Sequence, residues 1–144
     1  MPRLTLTGTN IDAPDANALA DFYRRLLGWT TSLEEPGWVI LRSPGAGHTL
    51  NFQTEQRYAR PAWPAGPGDQ QMMMHLEIQV DDLETGVAHA IAQGATLASY
   101  QPQQDVRVCL DPAGHPFCLF LELHSTRRCQ RLASLAARRD RLSP

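Results

Sequence analysis

The chain has 144 residues, 42% of them hydrophobic and 19% charged, enough for one domain that buries a core without disulfides or a structural metal. No apolar run approaches the roughly 20 residues of a membrane span, and the opening Met1-Pro2-Arg3-Leu4 does not read as a secretory signal, so a cytoplasmic protein with no membrane partner is expected. Net charge is −2; residues 1–126 carry seven Arg against fourteen acids, a body too acidic for nucleic acid.

In chain order, Leu4–Ile11 reads as a strand. A helix follows between Asp15, a good N-cap, and Gly28, a good C-terminal residue. Within it Leu19, Phe22, Tyr23, Leu26 and Leu27 recur at one-sided helical spacing. Three short strands come next, Trp29–Leu33, Trp38–Arg42 and Thr49–Gln53, the last two separated by the turn Ser43-Pro44-Gly45-Ala46-Gly47. Residues 54–71 are rich in Pro and Gly and read as a linker. Two roles stay open for it: a semi-rigid crossover, or a cover for an opening, supplied by Tyr58 or Trp63.

The pattern then repeats with a shift of 67 residues. Met73–Val80 reads as a strand, and Asp82 and Gly94 bracket a helix built on Leu83, Val87, Ala90 and Ile91. Strands follow at Thr96–Tyr100, Val106–Leu110 and Phe117–Leu123, the last after the turn Asp111-Pro112-Ala113-Gly114. Each half is βαβββ. The expected organisation is a domain over 1–126, with module one at 4–53, the linker at 54–71 and module two at 72–123. Residues 127–144 form a tail with six Arg against Asp140, read as a solvated, weakly amphipathic helix. The three cysteines, Cys109, Cys118 and Cys129, include no CxxC pair, which argues against a disulfide framework or a zinc ribbon.

Period-two alternation sorts the strand residues into faces. Leu50 and Phe52 oppose Asn51 and Gln53. Met74, Leu76, Ile78 and Val80 oppose Met73, His75, Glu77 and Gln79. Val106, Val108 and Leu110 are assigned to an apolar face opposite Arg107 and Cys109, and Phe117, Leu119 and Leu121 to one opposite Cys118 and Phe120. The apolar face is expected under the helices. The other mixes His, Glu, Asn, Gln, Cys and Arg with single aromatics, as a pocket with a few convergent polar groups does.

Two such halves, with Asp15, Phe22, Tyr23, Leu27, Gly28 and Trp29 in the first and His75-Leu-Glu-Ile-Gln-Val-Asp-Asp82, Gly94-Ala95 and Asp111-Pro-Ala-Gly-His-Pro-Phe-Cys118 in the second, resemble the vicinal oxygen chelate superfamily. That group includes glyoxalase I, extradiol dioxygenases, and fosfomycin and bleomycin resistance proteins. Trp63-Pro64 and Leu50-Asn-Phe-Gln53 point to its glyoxalase-like domain branch. The resemblance implies an α+β fold, two βαβββ modules forming a curved eight-stranded mixed sheet with a concave pocket and helices on the outer face. It also implies four ligand positions, which fall on Gly8, Asn51, His75 and Cys118. Only His75 is the usual ligand type; Cys118 stands where a glutamate normally does. Glu77 and Gln53 lie on the same faces and would have to reach from two residues along their strands.

The cofactor is therefore left open between none and a divalent metal held by His75 with an incomplete set. His75 and Cys118 are the candidate catalytic pair, through general-base or thiolate chemistry. Trp38, Asn51, Gln53, Glu77, Arg107 and Phe120 are candidate ligand-binding residues, with Arg107 poised for an anionic group. The preferred expectation is a homodimer that binds, and sequesters or processes, a small organic molecule without a full metal site. The alternative is a metal-dependent lyase, isomerase or dioxygenase using His75; a scaffold acting through the basic tail is a third.

Overall fold

A computed structural model describes residues 1–45 and 47–121. The expectations for the basic tail and for the end of the last strand lie outside the described residues. In chain order the elements are β1 (Gly8–Ala13), α1 (Ala16–Leu27), β2 (Thr30–Glu35), β3 (Trp38–Arg42), β4 (Thr49–Thr54), β5 (Leu76–Gln79), α2 (Leu83–Gln93), β6 (Thr96–Leu97), β7 (Val106–Leu110) and β8 (Pro116–Phe120). Backbone hydrogen bonds join the eight strands as two four-stranded mixed sheets, ordered β1-β4-β3-β2 and β5-β8-β7-β6. The 67-residue repeat holds at the level of register. Asn10 lies opposite Asn51 in the parallel pair β1–β4, and Glu77 lies opposite Cys118 in the parallel pair β5–β8.

The chain divides into two compact units. One is Met1–Arg60 together with Asp111–Ala113; the other is Pro61–Leu110 together with the chain from Gly114 on. In the first, α1 covers the sheet through Leu19, Ala20, Phe22 and Tyr23, which meet a floor of Val39, Leu41, Leu50 and Phe52. All eight side chains are buried. The helix starts where the Asp15 carboxylate accepts from the Ala18 N–H at 3.0 Å and stops at Gly28, whose φ of 67° suits a residue without a Cβ. Asp15→Ala is expected to lower the stability of this unit by about 1 kcal/mol, read from a denaturant midpoint that shifts at unchanged slope.

In the second unit Phe117 and Leu119 are buried on one face of β8, with Leu76 and Ile78 opposite them. α2 packs against β6, β7 and β8. Its Asp82 cap accepts from the Thr85 N–H at 2.8 Å, and that bond holds the Asp82 carboxyl below its ordinary range.

Several strands are shorter than alternation suggests, each for a visible reason. β5 starts at Leu76 rather than Met73 because β8 begins at Pro116, and a proline has no N–H to offer the ladder. Met73 and Met74 are left 82% and 72% exposed. β1 begins at Gly8, opposite Thr49, the first residue of β4, which leaves Leu4 and Leu6 exposed. β6 ends at Leu97 because the Gln101 side chain takes over the pairing. Its amide donates to the carbonyls of Ala98 and Val108, and its oxygen accepts from the Val108 N–H. No helix among the described residues is long and apolar enough to cross a membrane.

Candidate metal centre

The second sheet gathers three donors at one place. His75 directly precedes β5, and Glu77 lies two residues along the same face. Register sets Glu77 opposite Cys118 on β8. The ligand atoms of His75, Glu77 and Cys118 all lie within 4.8 Å of one another. The Glu77 carboxylate does reach along its strand: His75 Nε2–H donates to its Oε1 at 2.8 Å. Three candidate donors therefore lie together where the expected set had His75 alone as its usual ligand type. His75 and Glu77 are partly open to solvent, whereas Cys118 is 3% exposed.

Around them lies a small hollow with about 180 Å³ of empty space, open mouth included, lined by Trp63, Met72, His75, Val108, Pro116 and Cys118. Its walls are apolar apart from the His75 and Cys118 donors and the Trp63 ring. Cys118 belongs to a buried cluster with Ala98, Val106 and Val108, and Trp63, Leu110 and Phe120 pack against it. Of the two linker aromatics, Trp63 is thus the one at the hollow. It stacks at a tilt 6.4 Å from Tyr100, and its buried indole N–H has no hydrogen-bond partner among the described residues. Tyr58 donates instead to the Ala113 carbonyl at 2.8 Å.

One face assignment is corrected. Val108 lies directly opposite Cys118, and Arg107 opposite Leu119. Val106 and Val108 therefore line the face of the donors, and Arg107 and Cys109 lie on the other. Both faces of β7 bury apolar atoms, so alternation alone could not say which one meets the helix. Arg107 donates to the carbonyls of Gln104 and Val106 at 2.8 Å each. It ties down a loop, on the face away from the hollow. Cys109 is fully buried opposite Phe117, and burial pushes its thiol up to about 11. A thiol so placed stays protonated and inert at neutral pH.

In the first unit Trp38, Asn51 and Gln53 share one face, as expected, with Trp38 opposite Gln53. The positions matching His75 and Cys118 are closed there. Asn51 Oδ1 accepts from Thr49 Oγ1 at 2.9 Å. A Cβ at Gly8 would collide with that same Thr49 Oγ1 and approach the Thr49 carbonyl oxygen to 3.0 Å. No ligand side chain fits at Gly8 unless Thr49 moves.

The glyoxalase-like domain model matches residues 8–120. The chain belongs to the glyoxalase-like domain family. Among solved structures, it is similar to a glyoxalase/bleomycin resistance protein/dioxygenase family enzyme from Burkholderia phytofirmans PsJN (23% identity, 83% of this chain and 100% of that one, TM-score 0.62). It is also similar to a lactoylglutathione lyase from Agrobacterium tumefaciens (19% identity, 85% and 96%, TM-score 0.56). A third is a glyoxalase-related enzyme from Fulvimarina pelagi (18% identity, 82% and 88%, TM-score 0.61). These likenesses establish the glyoxalase fold. A comparison with proteins of curated function finds no match.

What the sequence did not signal is the pair Tyr23 and Asp111, each 1% exposed, joined by a 2.9 Å bond from the phenol to the carboxylate. Asp111 reads as a turn former before Pro112, and nothing local marks a contact 88 residues away. Met72 at the hollow was equally silent, since a methionine before a strand carries no positional meaning.

Proposed function

We propose that this protein is a metal-dependent enzyme of the glyoxalase type, a lyase, isomerase or dioxygenase acting on a small organic molecule, with His75, Glu77 and Cys118 holding the ion. The observation that carries this reading is the convergence of three donors within 4.8 Å beside a hollow. An imidazole, a carboxylate and a thiol make a chemically suitable set, because catalytic metal sites commonly use three protein ligands and keep one position open. The ion, when bound, would polarise a substrate oxygen as a Lewis acid.

The chain's own groups do the rest. The His75–Glu77 hydrogen bond holds the imidazole and the carboxylate side by side before an ion enters. Val108, Pro116, Met72 and Trp63 exclude water from one side of the donors. Phe120, packed against the Cys118 cluster, offers an apolar surface for the organic part of a substrate.

Cys109 is a free thiol, which supports a reducing, cytoplasmic setting. The exposed Leu4, Leu6, Met73 and Met74 supply apolar surface of the kind a second copy would cover in a homodimer.

The closed Gly8–Asn51 position favours a second reading: a protein that sequesters an organic metabolite or antibiotic without an ion. Elemental analysis of protein purified without chelator separates the two. About one divalent ion per chain, with turnover that is lost on stripping and restored on readdition, is the expected result. Lactoylglutathione, named for the Agrobacterium structure, is the first substrate to try. Protein that takes up no divalent ion yet retains organic ligands in native mass spectrometry would replace the enzyme reading with the second.

A further inference from the structure

We infer that the centre selects a thiolate-accepting divalent ion, Zn²⁺ or Co²⁺, over Mg²⁺ and Mn²⁺, with Cys118 Sγ as a direct ligand. The inference rests on the proposed metal-dependent reading and deepens it by naming the class of ion.

The donor inventory carries the argument. Mg²⁺ and its hard relatives need about six oxygen ligands in near-octahedral array. Glu77 supplies one carboxylate beside the hollow, and among the described residues the lining itself, Trp63, Met72, Val108 and Pro116 with His75 and Cys118, supplies no side-chain oxygen. Zn²⁺ and Co²⁺ accept nitrogen, sulfur and oxygen together, and three such donors leave a fourth, tetrahedral position free.

The placement of Cys118 adds to this. Its side chain belongs to a buried apolar cluster with Ala98, Val106 and Val108, yet shares its face with the two polar donors. A purely space-filling residue would not need a sulfur beside a hydrogen-bonded imidazole and carboxylate. Cys109 is the internal comparison. It is equally buried, one strand away, and faces Phe117 instead.

The test is an anaerobic Co²⁺ titration of the stripped full chain, followed by competition with Zn²⁺, Mg²⁺ and Mn²⁺. A near-ultraviolet sulfur-to-cobalt charge-transfer band is expected in the wild type and in Cys109→Ala, and its loss in Cys118→Ser. Zn²⁺ affinity should fall roughly 100-fold or more in Cys118→Ser. Cys118→Glu should narrow the preference for Zn²⁺ over Mn²⁺ by at least tenfold, because a hard donor replaces a soft one. A second measurement needs no variant: Zn²⁺, but not Mg²⁺, should protect Cys118 from alkylation, read by peptide mass spectrometry.

Co²⁺ binding without the sulfur band, or Zn²⁺ that leaves Cys118 alkylation unchanged, overturns the inference while the enzyme reading stands. The sulfur band without any turnover upholds it and sinks the enzyme reading. No binding of any divalent ion overturns both.

Discussion

Replacing His75 with alanine is expected to lower the affinity for a divalent ion by roughly 100-fold or more. Losing a group that merely supports a ligand commonly costs 10–100-fold, and losing a ligand itself costs at least the upper figure. Glu77→Gln keeps the shape and a hydrogen bond to the imidazole but removes the negative charge, and should cost about 10–100-fold. The double variant should lose less than the two single losses combined, because His75 Nε2 and Glu77 Oε1 already act as one bonded unit at 2.8 Å.

Thermal melting gives a direct readout. An ion at about a hundred times its Kd stabilises the folded wild type by about 2.7 kcal/mol, which is on the order of 10 °C for a chain of this size. His75→Ala should show no such rise at the same concentration. With no ion added, both single variants should melt close to the wild type, since a partly open hydrogen bond at a sheet edge contributes about 1 kcal/mol. An undiminished ion-induced rise in His75→Ala would remove the imidazole from the site.

The duplication explains how much of this was legible in the sequence. Caps and turns are local chemistry, so Asp15, Gly28, Asp82 and Gly94 mark both helices, and Trp38–Arg42 and Val106–Leu110 are strands with the bounds alternation assigns them. The 67-residue shift carries register as well as element order, because the parallel pairing of the first and last strands of each module fixes which residues lie opposite. Strand ends were less legible. They depend on what the neighbouring strand offers, and Pro116 and the Gln101 side chain settle that from another segment. β7 was read on the wrong face because Val106, Val108 and Cys109 are all buried, and a strand covered on both sides has no polar row to orient it.

The centre itself was half legible. The family resemblance brought out His75 and Cys118, while the part of Glu77 depended on a side-chain reach that alternation cannot measure. The two modules also differ at the matching place. In the first, Thr49 fills the space beside Gly8 and engages Asn51, so that face is sealed by its own hydrogen bonds. In the second, an imidazole, a carboxylate and a thiol meet at the matching place. On the proposed reading, any reaction of this chain therefore falls on the second sheet.

The stability of the first unit is expected to fall in alkali, with Tyr23 as a principal cause. Its phenol is 1% exposed and donates to Asp111. Burial, then the charge of Asp111 and the bond to it, raise its ionisation well above the ordinary value of 10.0. A raised pKa means the folded state holds the proton more tightly than the unfolded chain. The stability tied to that proton is complete below pH 10 and is lost as pH rises above it, at up to about 1.4 kcal/mol per pH unit.

Cys109, raised from 9.0 to about 11, acts on the second unit in the same direction from about pH 9. Tyr23→Phe should flatten the alkaline slope of the first unit but destabilise it at pH 7 by about 1–3 kcal/mol, because the Asp111 carboxylate loses a donor in a dry site. Asp111→Ala should cost a similar amount or more, by stranding the phenol. The two losses should not add, since the residues share one bond. Urea midpoints from pH 7 to 11 for the wild type, the two single variants and their double variant check this. A Tyr23→Phe chain as alkali-sensitive as the wild type in its first unit would show that the Tyr23 proton does not govern the loss.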